Sequence, residues 1–134
     1  MPTKSTKVKM KNNALMIVGH GSRSADAVAE FEQVVACVAA KAVFGKVLGA
    51  HMELAKPSIE EVAAELHASG YTKVVVAPYF LFMGNHIKKD IPEILENIAQ
   101  QYPDMEFNMA KPIGFEPMLA DILLKRALES SLNL

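Results

Sequence analysis

Cysteine is nearly absent from this chain: Cys37 stands alone. A single thiol closes no internal disulfide, which excludes a disulfide-stapled secreted scaffold and fits a reducing cytoplasm. Cys37 falls within a helical pattern and is expected to be a small core or boundary residue. Long apolar runs are missing too. No stretch approaches the ~18–20 residues that cross a bilayer. The segment 1–13 has no apolar stretch of the kind a secretory signal needs, and it is expected to be a disordered tail. It holds four lysines and no acidic residue, so the rest of the chain has 14 − 4 = 10 basic against 15 acidic side chains. Such an acidic excess, with no basic stripe, argues against a nucleic-acid partner. Internal repeats and a linker are also lacking, so 14–130 reads as one domain.

What is present is organised around Leu15-Met16-Ile17-Val18-Gly19-His20-Gly21-Ser22-Arg23. Four consecutive apolar residues read as a buried strand. Gly-His-Gly breaks it, and Ser22 or Ser24 is placed to cap a following helix. Val28, Phe31, Val35, Val38 and Ala42 then recur at helical spacing between Ser24 and Val43. A second strand is expected over Val47–Leu54 and a helix over Ile59–Ala68, ended by Gly70. Lys73–Ala77 forms a third strand, prolonged by the apolar run Tyr79–Met83, which is either core or a flat hydrophobic surface for a ligand or a second subunit. Gly84-Asn85-His86 leads into a helix reaching about Gln101. Its start is open because Pro92 is tolerated only in a first turn. Met105–Met109 makes a short strand, and a last helix runs from Pro117 to about Leu128.

Four βα units predict an α/β fold, a four-stranded parallel sheet with helices on both faces. The expected order is flavodoxin-like, 2-1-3-4, with its switch point between strands 1 and 3. That order has a chemical consequence. His20 follows strand 1, His86 follows the extension of strand 3, and Glu53 lies near the carboxyl end of strand 2, so all three come to the sheet edge where ligands bind. Two imidazoles and a carboxylate suit a divalent first-row metal, or acid–base work near neutral pH. His51 shares a strand face with Glu53 by period-2 alternation and is expected to be an exposed bystander. His67, in a helix's last turn, reads as structural. Gly19 and Gly21 permit close backbone approach, and Ser22, Arg23, Lys88 and Lys89 surround the same edge, where the first helix N-terminus favours an acidic ligand.

With these residues assembled, the sequence resembles the short-form sirohydrochlorin chelatases, of the class II tetrapyrrole chelatases. Val-Gly-His-Gly-Ser-Arg (18–23), Glu-Leu-Ala-Lys-Pro-Ser-Ile (53–59), the run from Val74 to Phe82, Gly-Asn-His-Ile-Lys-Lys-Asp-Ile-Pro (84–92) and Lys-Pro-Ile-Gly (111–114) carry it in order. Asn85 stands where the family more often has glycine. The resemblance implies a chelatase-like half-fold. It implies insertion of cobalt, iron or nickel, as substrate, into sirohydrochlorin, with no organic cofactor. His20 and His86 match the metal positions and Glu53 the acidic one, and Asp90, one turn past His86, is a candidate to orient its ring. Related enzymes about twice as long imply a homodimer here, with the acidic tetrapyrrole between the copies.

Other readings fare worse. A histidine phosphatase needs Arg directly before its histidine, where Gly19 stands. A response receiver needs acids at the end of strand 1. A hydrolase elbow needs Gly-x-Ser-x-Gly, and Ser22 is one place late. A non-catalytic metal-binding or metal-delivery module uses the same histidines and is separated only by product formation.

Overall fold

Ala14–Gly19 forms β1, buried along its whole length at the centre of the sheet. The computed structural model describes residues 10–130. Residues 1–9 of the expected tail lie outside the described residues. Met10–Asn13 make a turn: the Asn13 N–H donates to the Met10 carbonyl (3.0 Å), and the Asn13 carbonyl accepts from the Gly45 N–H (2.9 Å). Around β1 run β2 (Lys46–His51), β3 (Lys73–Pro78) and β4 (Glu106–Met109), all parallel, in the order β2-β1-β3-β4. The expected topology is the observed one.

Because strand side chains alternate, β1 feeds two cores. Leu15 and Ile17 pack with Phe31 and Val35 of α1 (Ala25–Ala40) on one face. Ala14, Met16 and Val18 pack on the other with Val62 and Leu66 of α2 (Ile59–Ala68) and Ile91, Leu95 and Ile98 of α3 (Asn85–Gln101). The last helix, α4 (Met118–Leu128), buries none of its residues.

Caps explain where the helices begin. Ser24 caps α1, its Oγ accepting from the Ala27 N–H (3.3 Å), while Ser22 Oγ accepts from the Ser24 N–H (3.0 Å). Ser58 and Glu61 form a reciprocal capping box on α2 (3.0 and 3.1 Å). His67 is structural as expected, its Nε2 lying 3.0 Å from Asp104 Oδ1 and its ring against Tyr102.

Several expectations are corrected. Pro92 lies inside α3 rather than in its first turn. Ile91 and Leu95, on either side of it, are buried, and that packing outweighs the backbone bond proline cannot make. Cys37 is exposed, because Phe31 and Val35 define the inward stripe of α1 and Cys37 falls off it. Of the two readings of the run after β3, surface rather than core holds: Tyr79, Leu81 and Phe82 are exposed, since the strand ends at Pro78, while Phe80 packs against the core. Finally, β2 stops at His51, so Glu53 sits in the loop beyond it.

Candidate functional site

The site is assembled by backbone bonds between loops at the carboxyl edge of the sheet. After β1 and β2 the ladder continues without strand geometry: the Met52 N–H donates to the Gly19 carbonyl (3.0 Å) and the Glu53 N–H to the His20 carbonyl (3.2 Å). The Tyr79 N–H donates to the Val18 carbonyl (2.7 Å) from the other side. Residues 33 positions apart in sequence are thereby held side by side, and His20 Nε2 comes 3.7 Å from Glu53 Oε1. Both side chains remain more than half exposed, so the pair is open to a ligand. Leu54 follows at φ 65°, a left-handed conformation that costs a non-glycine residue on the order of 1 kcal/mol. Strain of this kind persists where the surroundings impose it, here directly after Glu53.

His86 enters from α3. Gly84 starts that helix, and the Lys88 N–H closes its first turn on the Gly84 carbonyl (3.1 Å). His86, Asp90 and Glu93 lie at i, i+4 and i+7, one face of the helix. They line a cavity of about 430 Å³ with His20, Met52, Glu53, Ile87 and Ile94. The three residues singled out from sequence therefore do meet in one cavity. Asp90 joins them there, with no hydrogen bond to the His86 ring among the described residues. Glu93 was not anticipated, although its i+7 spacing from His86 was there to be read. Ser22 lines a second cavity of about 160 Å³, next to His20. Arg23 and Lys88 are exposed and line neither cavity.

His51 departs most from expectation. It is buried (2% exposed), on the opposite side of the β2 edge from Glu53, stacked on Phe31 with ring centroids 4.9 Å apart. Its Nε2 makes no hydrogen bond and lies 3.7 Å from Glu32 Oε1. The strand's end at His51 breaks the alternation that would have put the two residues on one face. Gly19 also has a different use from the one expected. Added methyl groups on Gly19 and Gly49 would meet the Phe31 ring at 2.9 and 2.8 Å, so these glycines make room for the protein's own core.

Among the described residues, no three His, Cys, Asp or Glu side chains converge closely enough to hold a metal ion. The arrangement is an open one, two imidazoles and several carboxylates around a cavity, rather than a closed ligand cage.

A family model, CbiX, matches residues 14–130, the span of the whole sheet and all four helices. The chain belongs to the CbiX family. Its relatives include the sirohydrochlorin cobaltochelatase of Methanococcoides burtonii, 31% identical over 123 residues, which cover 86% of this chain and 94% of that one. The chloroplastic sirohydrochlorin ferrochelatase of Arabidopsis thaliana is 33% identical over 114 residues, covering 85% of this chain and 51% of its own. The structure of the sirohydrochlorin chelatase SirB from Bacillus subtilis subspecies spizizenii in complex with cobalt superposes with a TM-score of 0.81 at 30% identity, over 87% of this chain and 50% of that one. A CbiX protein from Marinobacter aquaeolei superposes with a TM-score of 0.75 at 29% identity, over 89% of this chain and 99% of that one. The chain thus spans nearly the whole of some relatives and about half of others.

Proposed function

We propose that this chain is a sirohydrochlorin chelatase, an enzyme that inserts a divalent metal, cobalt, iron or nickel, into an acidic reduced tetrapyrrole. The observation that carries the reading is the meeting of His20 and Glu53, tied backbone to backbone, with His86 in one open cavity at the carboxyl edge. The family membership supports it, since the relatives above are named for this reaction with cobalt or iron.

The chemistry follows from the side chains. Metal entry requires the macrocycle to lose two pyrrole N–H protons. His20 and His86 are the metal ligands in this reading. An imidazole pair in an open cavity holds a borderline metal while leaving positions for the incoming pyrrole nitrogens, whereas a closed thiolate cage would retain it. Glu53, beside His20, accepts a proton or balances the metal's charge. Asp90 and Glu93 add negative charge at the same cavity and attract the cation before the ring arrives. Ser22, Arg23 and Lys88 surround the edge and meet the carboxylates of the macrocycle, Arg23 and Lys88 by charge and Ser22 beside the N-terminus of α1.

One such domain covers one face of a flat ring. The enzyme therefore acts as a homodimer with the ring between two copies, a reading supported by SirB, whose chain extends as far again beyond the part this one matches. No helix among the described residues is long and apolar enough to cross a membrane, and the single thiol suits a cytoplasmic setting.

The test is direct. The protein is mixed anaerobically with sirohydrochlorin and cobalt, ferrous or nickel ion in turn, and the absorption change is followed. Acceleration over the uncatalysed rate with at least one metal is expected. No acceleration with any of them, despite metal binding, would return the chain to a delivery role.

A further inference from the structure

We propose that the smaller cavity next to His20 is a subsite for one carboxylate arm of the macrocycle, with the buried ring of His51 as its polar partner. The proposal rests on the chelatase reading above and deepens it by naming where an edge of the ring is gripped.

His51 raises the question. It is 2% exposed, its Nε2 has no hydrogen-bond partner among the described residues, and Glu32 Oε1 stands 3.7 Å away, beyond hydrogen-bond distance. A phenyl ring would stack on Phe31 in the same way and leave no nitrogen unmet. Native interiors hold few such groups, and each calls for a reason. Here the reason lies in what the ring borders. His51 lines the cavity of about 160 Å³ together with Ser22, Ala27, Val28, Phe31 and Tyr79.

The cavity suits a short acid. Its volume, about 160 Å³, compares with the ~30 Å³ that one water takes up in the liquid, so it holds an arm of acetate or propionate size and excludes the macrocycle. Val28 and Phe31 give the methylene groups an apolar wall. Phe31 is itself stacked on His51 and on Tyr79, with ring centroids 4.9 and 5.8 Å apart. An arm therefore enters a pocket that is already formed, and little order is lost on binding.

The polar groups favour an anion. Ala27 and Val28 belong to the first turn of α1, a helix of 16 residues whose positive end adjoins the cavity. Ser22 Oγ accepts from the Ser24 N–H (3.0 Å), which leaves its own O–H to donate. An imidazole, neutral or charged, has at least one N–H to offer. Two acids lie near, Asp26 in the first turn and Glu32 one turn past Val28, but both are exposed and neither lines the cavity.

Position identifies the source of the carboxylate. His20 lines this cavity and also the larger one that holds Glu53 and His86. A ring seated over the metal histidines extends past His20, and an arm on that edge drops beside His51.

The experiment follows binding of metal-free sirohydrochlorin to the full chain by its absorption, at fixed pH. His51→Phe keeps the shape of the side chain and removes the unmet nitrogen, so folding is retained. Its Kd for the ring should be weaker by tenfold or more, while its Kd for cobalt alone stays that of the unsubstituted protein. In turnover, KM for sirohydrochlorin should rise while kcat holds. His51→Gln, which keeps an N–H, should recover part of the loss. The methyl ester of sirohydrochlorin should bind His51→Phe and the unsubstituted protein equally. Equal binding of the free acid by both proteins would overturn the subsite and leave the chelatase reading standing. Equal losses for acid and ester, or a loss of cobalt binding as well, would make His51 a structural residue and also overturn it. Failure of the unsubstituted protein to bind sirohydrochlorin would overturn the chelatase reading itself.

Discussion

Gly21 and Glu53 are packed backbone against backbone: a methyl group on Gly21 would collide with the Glu53 carbonyl oxygen. Gly21 also sits at φ 100°, where only glycine is unstrained. The position of the site's carboxylate therefore depends on a hydrogen atom on the loop after β1.

Gly21→Ala is expected to push the Glu53 loop away from His20. Strain at a positive φ alone costs roughly 1–3 kcal/mol, and the collision adds to it. Thermal unfolding should show the loss, and metal insertion should fall by more than the unfolded fraction explains. A variant with unchanged melting and turnover would mean that the two loops move independently.

His20→Ala and His86→Ala should each lower turnover about a hundredfold or more. Both side chains are exposed, so stability should shift by no more than about 0.5 kcal/mol. Circular dichroism and a steady-state assay at subsaturating metal separate the two effects. Near-normal turnover in either variant removes that histidine from the metal site.

Glu53→Gln keeps the shape of the side chain and removes its charge. Slow insertion at saturating metal across the assayed pH range is expected of a base or charge partner. Slowness confined to limiting metal would make Glu53 a ligand, and no effect would make it a solvated carboxylate.

His51→Phe replaces a buried imidazole whose Nε2 has no partner. An unmet polar atom costs roughly 1–3 kcal/mol, and Phe keeps the stacking on Phe31. A gain of about 1 kcal/mol in chemical denaturation is expected. A loss instead would show that the Glu32 carboxylate, 3.7 Å away, already rewards the imidazole.

The capping box on α2 has a pH dependence of known sign. Hydrogen bonds from the Ser58 backbone and hydroxyl hold the Glu61 carboxyl below its ordinary range. A carboxyl depressed in the folded state contributes stability above its unfolded value, and that contribution fades as pH falls through the folded one. Ser58→Ala should cost about 1 kcal/mol near neutral pH, and the gap between variant and parent should narrow on acidification below about pH 4. A gap independent of pH would mean that Glu61 plays no part in the cap.

Much of this protein was determined by the sequence itself, because the relevant signals are local. The strand periods, the caps at Ser24 and Ser58 and the four βα units carry the order β2-β1-β3-β4, since parallel strands joined by right-handed crossovers leave few alternatives. That order in turn brings His20, Glu53 and His86 to one edge. Only the tertiary structure decided which side of that edge each group serves. His51 and Glu53 separate because β2 ends between them, where Met52 and Glu53 donate hydrogen bonds to a loop 33 residues upstream. Pro92 stays inside α3 because a distant core packs on both sides of it, and Cys37 is exposed because Phe31 and Val35 set the inward stripe of α1. Alternation and spacing report on neighbours along the chain. The end of a strand and the filling of a glycine gap depend on partners the chain reaches only after folding.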